Sequence, residues 1–411
     1  MSTRGLTRRE FLSGMTITGI GLLAGGCQRA TQKDKIVVGM ARPLSGPLAV
    51  IGDSAFRPVY ETWIEQVNSE GGIYVEEYGR QLTIEPLIYD DTSDVGTMAT
   101  LTEKLITEDQ VDFLWPSCGT AFIYAQAPIA NRHGYVLMTA EGGATSIKDK
   151  LPNLPYVFVT LSFSDWYQLP VLADLLSARG ARTAYISYIA DLHGAEYSRM
   201  AGIEFPPKGI DIIGLQSVPA DMTDLSPMIA EAKALNPDVF CCFGYPDQVM
   251  PATVASIELG FNPKAWIGGP GVNFGFYQTT FGPAAEGIIG FTSFNPKQSE
   301  TAQALADILY TDRPKDSQDL WGHPLYWAGL EVWKQAIERA GNLDQDRIRT
   351  IIANEHFDTV LGDTWFENGL LSKDCHTGEI GQWLNGEYEV IGPTDAATAE
   401  LVYPKPAWPT G

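Results

Sequence analysis

The sequence is poor in basic residues and in cysteine. Lys and Arg total 28 against 50 Asp and Glu, which gives a formal net charge of −22 at pH 7. A surface this acidic repels a polyanion, so nucleic acid is excluded as a partner. Five cysteines in 411 residues are too few for a disulfide scaffold. The charged and hydrophobic shares, 19% and 45%, also exclude wholesale disorder, collagen, a coiled coil and a polytopic membrane protein.

Catalytic and cofactor signatures are absent as well. The five histidines show no HExxH or other paired-ligand spacing, and no CxxC, GxSxG or GxxxxGK[ST] motif occurs. Glycines at 269 and 271 lack the third glycine of a dinucleotide-binding fingerprint. We therefore expect no metal, no cofactor and no catalysis. A triad assembled from distant residues stays open, and with it an exported α/β enzyme.

The N-terminus has the features of an export signal. Arg8 and Arg9 precede an apolar stretch at 11–24, about 14 residues long, which suits a signal peptide better than the roughly 20 residues of a membrane span. TRREFL at 7–12 resembles the twin-arginine motif, and LAGGC at 23–27 resembles a bacterial lipobox. We predict a signal peptide at 1–26, lipidation of Cys27 and a polar tether at 27–34; an uncleaved anchor is the alternative.

Short apolar runs alternate with helical periods along the rest of the chain. Strands are predicted at 35–40, 82–89, 111–115, 135–138, 183–189, 210–218, 239–243 and 265–267. Helices are predicted at 54–68, 95–108, 121–131, 195–205, 225–235, 248–259 and 326–340. The pattern breaks at 152–163. It therefore predicts two successive α/β blocks with parallel sheets, 35–160 and 161–293.

In such folds a small ligand binds beyond the carboxyl ends of the strands and between domains. The loop 117–120 (SCGT) follows a predicted strand and leads directly into a helix. Its backbone N–H groups and the positive end of the helix dipole favour an anion. A plain helix cap is the alternative, because Ser and Thr favour that position anyway.

Several motifs then fall in the order of a known family. They are LSGP at 44–47, Gly52-Asp53, NSEGGI at 68–73, YDD at 89–91, GGPGV at 268–272, AEG at 285–287 and DTVLG at 358–362. The chain resembles the branched-chain amino-acid-binding proteins of ABC importers over 35–392. The resemblance implies an α/β, type I periplasmic-binding fold: two doubly wound parallel-sheet lobes joined by a three-crossover hinge. It divides the chain into an N-terminal lobe (35–160 plus 294–360) and a C-terminal lobe (161–293 plus 361–411).

The resemblance also implies a binding site between the lobes. In relatives the loop here at Ser117, Gly119 and Thr120 holds the ligand carboxylate. The loop with Glu141, Gly142 and Gly143 faces the same group, although Gly143 replaces a pocket Thr. Further pocket positions are Ile51, where relatives often carry an aromatic residue, and Tyr245. Trp166 is among the aromatic residues that suggest an apolar pocket.

Pro270 departs from the family pattern. Relatives place a Glu there to bind the ammonium of an amino acid, and proline offers no acceptor side chain. An unpaired ammonium in a closed cleft would cost several kcal/mol. Either the ligand has no amine, or another acid substitutes; Glu141, Asp165 and Glu196 are candidates. An amide or urea-like ligand is a further alternative.

These implications lead to one expected function. The chain is an extracytoplasmic solute-binding protein that traps an aromatic or hydrophobic acid, or an amino acid, and delivers it to an ABC permease. It acts as a monomer and contacts the membrane only through its lipid anchor. A ligand-sensing receptor of the same fold is the alternative.

Overall fold

The computed structural model describes residues 33–409 except 141, 143, 144, 162, 163 and 377, and the side chains of residues 54, 164 and 165 are also left out. The predicted signal peptide, Cys27, Glu141, Gly143 and the side chain of Asp165 therefore lie outside the described part. Within it, no helix combines the length and the apolar character that crossing a bilayer requires.

Seventeen strands are present in the described residues: β1 Lys35–Arg42, β2 Ile73–Val75, β3 Arg80–Asp90, β4 Phe113–Leu114, β5 Leu137–Thr139, β6 Val157–Val159, β7 Thr183–Ile189, β8 Asp211–Val218, β9 Val239–Phe243, β10 Ala265–Gly269, β11 Ile289–Thr292, β12 Phe357–Thr359, β13 Gly362–Thr364, β14 Phe366–Glu367, β15 Leu370–Leu371, β16 Glu379–Leu384 and β17 Glu387–Gly392.

Twelve α-helices accompany them in the same part of the chain: α1 Ala49–Ile51, α2 Arg57–Ser69, α3 Val95–Thr107, α4 Thr120–His133, α5 Leu169–Ala178, α6 Leu192–Glu204, α7 Ser226–Leu235, α8 Pro246–Glu258, α9 Gly275–Phe281, α10 Glu300–Tyr310, α11 Gly322–Ala340 and α12 Gln345–Asn354. Short π-helical segments at Gly52–Phe56 and Ser164–Gln168 lead into α2 and α5.

The first lobe contains two four-stranded sheets. One has the order β2-β3-β1-β4 and the other the order β14-β15-β6-β5. β1 runs parallel to both β3 and β4, and β6 runs parallel to β5 and β15. Helix α11 packs on this lobe through Trp333, whose ring meets Phe113, Trp115 and Trp63 edge to face at centroid distances of 5.0, 5.5 and 6.1 Å. Such aromatic contacts add to the stability that apolar burial provides.

The second lobe is built on one seven-stranded sheet, β17-β16-β11-β10-β9-β7-β8. Its strands are parallel except β16, which is antiparallel to β11 and β17. Strands β9, β10 and β11 are buried at every position. This explains why they read as continuous apolar runs, since helices cover both faces of a parallel sheet. The expected α/β class with parallel sheets is confirmed.

The chain passes between the lobes three times, after β6, after β11 and after β15. Gln168 connects these passages: its Nε2 donates to Thr292 O at 2.7 Å and to Glu379 O at 2.8 Å. β14 and β15 join the sheet of β6 in the first lobe. The lobe division predicted from the sequence stays a proposal, with residues 361–371 assigned to the first lobe.

Candidate functional site

A cavity of about 60 Å³ lies between the two lobes. That is several times the roughly 10–15 Å³ that one water molecule requires by this measure. Its lining is Leu48, Ile51, Ala55, Phe56, Cys118, Gly119, Thr120, Ala140, Gly142 and Leu161 from the first lobe, His193, Tyr245, Pro270 and Phe274 from the second, and Asp319, Trp321 and Gly322 just before and at the start of α11. We call this the inner cavity.

An outer cavity of about 170 Å³ adjoins it and shares Leu48, Ile51, Gly119, Thr120 and Tyr245. Asp191, Pro246, Asp247 and Gln248 complete much of its second-lobe wall. The cleft is therefore mostly apolar inside and more polar toward its mouth. Small-molecule sites commonly combine an apolar lining with a few placed polar groups.

The N-terminus of α4 forms one polar wall of the inner cavity. Gly119 precedes the helix with φ of 101°, in the region that favours glycine. This turn brings Thr120, which is 5% exposed, and the first N–H groups of α4 to the cavity. Those N–H groups have no partner within the helix and carry the positive end of its dipole. The wall suits an anionic group.

Gly142 fits directly against this turn. A Cβ at Gly142 would lie 2.6 Å from the carbonyl carbon of Gly119 and 2.8 Å from the backbone nitrogen of Thr120. No real side chain fits at such distances. The close approach of the two backbones therefore requires glycine at 142.

The structure places Ser117 behind the wall. Its Oγ donates to Asp91 Oδ2 at 3.0 Å, and its N–H donates to Gln126 Oε1 at 2.9 Å. Ser117 is fully buried and does not line the inner cavity. Buried Arg42 supports the same loop by donating to Pro116 O at 2.8 Å. Sequence reasoning missed Arg42 because only the fold brings β1 to this loop.

Tyr245 reaches the same wall from the second lobe. It precedes α8, and its N–H donates to Gln248 Oε1 at 3.1 Å. Burial raises the pKa of its phenol well above the usual value, and the charge of Asp191 acts in the same direction. Since Thr120 belongs to the first lobe, the two side chains line the cleft from opposite lobes.

His193 stacks on Tyr245, with ring centroids 4.9 Å apart and planes 17° apart. Nε2 of the imidazole is buried without a hydrogen-bond partner among the described residues. Burial lowers the pKa of His193 to about 4, so the ring is neutral at pH 7.

Pro270 lines the inner cavity, as expected, and an acid stands close to its loop. Asn273 Oδ1 accepts from Gly271 N at 3.0 Å, and Asn273 Nδ2 donates to Asp319 Oδ1 at 2.7 Å. Asp319 is 2% exposed, and burial raises the pKa of its carboxyl to about 6. Sequence reasoning missed Asp319, whose Oδ1 also accepts from Trp321 N at 2.9 Å in the turn that precedes α11.

Of the other residues predicted for the site, Trp166 and Glu196 lie outside the inner cavity and Ile51 lines it. Trp166 lies outside the inner cavity, beneath Lys148 and Lys373, whose Nζ atoms are 4.3 and 3.7 Å from its ring centroid. Glu196 is buried at the contact between the lobes, where Oε2 accepts from Ser146 N at 3.0 Å. Ile51 lines both cavities. In the described part of the chain, no cluster of three His, Cys, Asp or Glu could hold a metal ion.

Several solved structures share this architecture. A solute-binding protein of an ABC transporter from Rhodopseudomonas palustris BisB5, in complex with 3,4-dihydroxybenzoic acid, matches with a TM-score of 0.75, 17% identity and coverage of 89% of this chain and 99% of that one. The branched-chain amino acid transporter substrate-binding protein of Streptococcus pneumoniae, in complex with isoleucine, matches with a TM-score of 0.73, 19% identity and coverage of 90% and 100%. These likenesses confirm the type I periplasmic-binding fold.

Sequence comparison agrees with the fold. The leucine-, isoleucine-, valine-, threonine- and alanine-binding protein of Pseudomonas aeruginosa is 23% identical over 346 residues, which cover 84% of this chain and 89% of that protein. Residues 35–381 match the profile of the family described as periplasmic binding protein. That match spans more than half of the chain, which therefore belongs to the periplasmic binding protein family and has a solute-binding role.

Proposed function

We propose that this protein captures a small organic carboxylate between its lobes and delivers it to the membrane permease of an ABC importer. The observation that carries the proposal is the N-terminus of α4, whose first N–H groups have no partner within the helix and which lies with Thr120 at an apolar interlobe cavity. Relatives named for amino acids and for aromatic acids share the fold. A carboxylate is the group that these two ligand classes have in common.

The other polar groups of the cavity favour binding of a ligand over its chemical conversion. His193 is stacked on Tyr245, and burial lowers its pKa to about 4, so it is a weak base. Three other titratable groups line the cavity: the Cys118 thiol is buried, burial raises the pKa of Tyr245, and Asp319 accepts from Asn273 Nδ2 and Trp321 N. The protein is thus proposed to bind its ligand without chemical change.

The binding residues proposed from this geometry are Gly119, Thr120, Gly142, Ile51, Tyr245 and Pro270, all of which line the inner cavity. Ser117 supports the wall from behind through Asp91. Glu141, Gly143 and Asp165 remain proposals from the family resemblance. The protein is further proposed to be an exported monomer, held at the outer face of the membrane by a lipid on Cys27.

A thermal-melting screen of the purified protein tests the proposal. A ligand at one hundred times its dissociation constant stabilises the folded state by about 2.7 kcal/mol. This raises the melting temperature by a few degrees. We expect that shift with amino acids or aromatic acids and not with their primary amides. A shift with amides and none with any acid would refute the carboxylate proposal.

A further inference from the structure

The inner cavity is electrostatically unusual for an anion site. Asp319 is the one acid among its described lining residues, and none of these residues is Lys or Arg. A buried carboxylate without a cationic partner is costly. Its hydrogen bond to Trp321 N, just before α11, does not by itself explain why an acid lies in the wall of the cavity.

The hydrogen bonds of Asp319 leave part of its carboxylate available. Oδ1 accepts from Asn273 Nδ2 and from Trp321 N, and both donors are neutral. An ionised carboxyl group has about four acceptor positions, so Oδ2 can accept from a group inside the cavity. With a pKa of about 6, Asp319 is ionised at neutral pH.

Asp319 also lies against the loop that contains Pro270. Through Asn273 it is joined to Gly271, next to Pro270. Position 270 is where the resemblance places an acid in relatives, and proline cannot accept a hydrogen bond. Asp319 is therefore held against the same loop from a different part of the chain.

The surrounding groups complete a polar end of the cavity. His193 Nε2 and Trp321 Nε1 are buried without hydrogen-bond partners among the described residues, and both side chains line the cavity. Asp319 Oδ2 is an acceptor, Trp321 Nε1 is a donor, and Nε2 of the neutral His193 ring is either one, according to the tautomer. A ligand that reaches this end can satisfy all three.

We infer that Asp319 selects ligands that carry, besides their carboxylate, a hydrogen-bond donor, either an ammonium or a hydroxyl group. The inference rests on the proposed function, because the carboxylate is taken to bind at α4. Asp319 accepts the hydrogen bond of the second group, and an ammonium gains additionally from its charge. The excluded class is the plain acid without a donor, which leaves Asp319 without a partner.

Calorimetric titration of the full-length protein with two matched pairs tests the inference. The pairs are leucine with 4-methylpentanoate, and 4-hydroxybenzoate with benzoate. In the wild type we expect the donor-bearing member of at least one pair to bind ten-fold or more tightly than its partner. The leucine pair reports on an ammonium and the benzoate pair on a hydroxyl.

The variant Asp319→Asn should reduce that ratio to less than three-fold, while binding of the donor-free acid stays unchanged or improves. Asp316→Asn is the matched control: Asp316 is exposed in the same segment, accepts from Thr279 Oγ1 at 2.6 Å and does not line the cavity. Melting of both ligand-free variants checks that they fold.

Three results would count against the account in different ways. Equal or tighter binding of the donor-free acid in both pairs, or an unchanged ratio in Asp319→Asn, overturns the inference and leaves the proposed function intact. If Asp319→Asn does not fold, the wild-type ratios decide alone. If no acid of either pair binds, the carboxylate proposal itself is wrong.

Discussion

Thr120 and Tyr245 come from opposite lobes and line the same two cavities of the cleft. The pair stands where the N-terminus of α4 meets the cavity. A ligand carboxylate at this position would meet hydroxyl groups from both lobes and N–H groups from one. Closure of the lobes and binding of the anion are thereby linked through the same two side chains.

Removal of the Thr120 hydroxyl should weaken binding. A hydrogen bond to a charged group contributes about 1.5–3 kcal/mol. Thr120→Ala should therefore raise the dissociation constant of a carboxylate ligand by roughly ten-fold or more. The matched control is Thr107→Ala, since Thr107 is exposed and bonds only to Glu103 O at 2.8 Å. Calorimetry that gives equal affinities for the two variants would show that α4 does not hold the anion.

Substitution of Gly142 should damage the same wall through the backbone. Gly142→Ala places a methyl group 2.6 Å from the carbonyl carbon of Gly119, so one of the two loops must move. We expect at least ten-fold weaker binding and a loss of about 1–3 kcal/mol in unfolding free energy. Gly202→Ala is the control. Gly202 lies on α6, where a Cβ would meet nothing within 4 Å, so the unfolding free energy should stay equal or rise slightly. Unaltered affinity in Gly142→Ala would contradict the close approach.

Gln168 should be essential for the hinge. Its Nε2 donates to Thr292 O and Glu379 O, and the side chain is fully buried. Gln168→Ala leaves two buried carbonyl groups without this donor, at a cost of about 1–3 kcal/mol. Urea unfolding measures the loss. Gln303→Ala removes an exposed contact to Asp307 and should change stability by less than about 0.5 kcal/mol; a similar loss in both variants would argue against a hinge role.

Glu379 should make stability depend on pH. Burial raises the pKa of its carboxyl from 4.5 to about 8, and Gln298 Nε2 donates to Oε1 at 2.9 Å. The folded state therefore keeps a proton that the unfolded state releases above pH 4.5. This contribution to stability is lost as the pH rises from about 4.5 to 8, by roughly 1.4 kcal/mol for each unit of difference in pKa.

The comparison that isolates this effect is wild type against Glu379→Gln, which keeps the acceptor for Gln298. The unfolding free energy of the wild type should fall relative to the variant between pH 5 and pH 8.5. Glu387→Gln, at an exposed position of β17, serves as the control and should follow the wild type. Parallel curves for wild type and Glu379→Gln would show that Glu379 is already ionised at pH 5.

The affinity for the ligand should also depend on pH, through the carboxyl group of Asp319. Its pKa of about 6 means that acidification to pH 5 protonates it, whereas His193, with a pKa of about 4, stays mostly neutral. The affinity for a donor-bearing ligand should fall about ten-fold from pH 7.5 to pH 5, and the fall should be absent in Asp319→Asn. Calorimetry at both pH values, with a donor-free acid as reference, measures it. The same fall in the variant would assign the effect to another group.

Two of the strands predicted from the sequence coincide with observed strands. The runs at 183–189 and 239–243 match β7 and β9 residue for residue, because each is a short apolar run in a parallel sheet. Burial alone did not make a strand predictable, since β11 is buried at every position and was not predicted. Strands such as β14 and β15, two residues each, are too short for any periodicity to show.

The site was only partly predictable for a different reason. Gly119, Thr120 and Tyr245 follow strands or begin helices, so their position can be argued from the order of elements. Asp319 reaches the cavity only because Asn273, from the other lobe, meets it. A contact between segments 46 residues apart leaves no local pattern. Trp166 was assigned to the site from its aromatic neighbours, but it lines a separate pocket where Lys148 and Lys373 lie over its ring.

The central claim is that the N-terminus of α4 holds a ligand carboxylate between the lobes. Its most direct test is the melting temperature of the wild type with matched acids and amides, leucine against leucinamide and 4-hydroxybenzoate against 4-hydroxybenzamide. The account predicts a rise of a few degrees with at least one acid and none with its amide. An equal rise with an acid and its amide would contradict it, because a site built to pair with an anion cannot bind both alike.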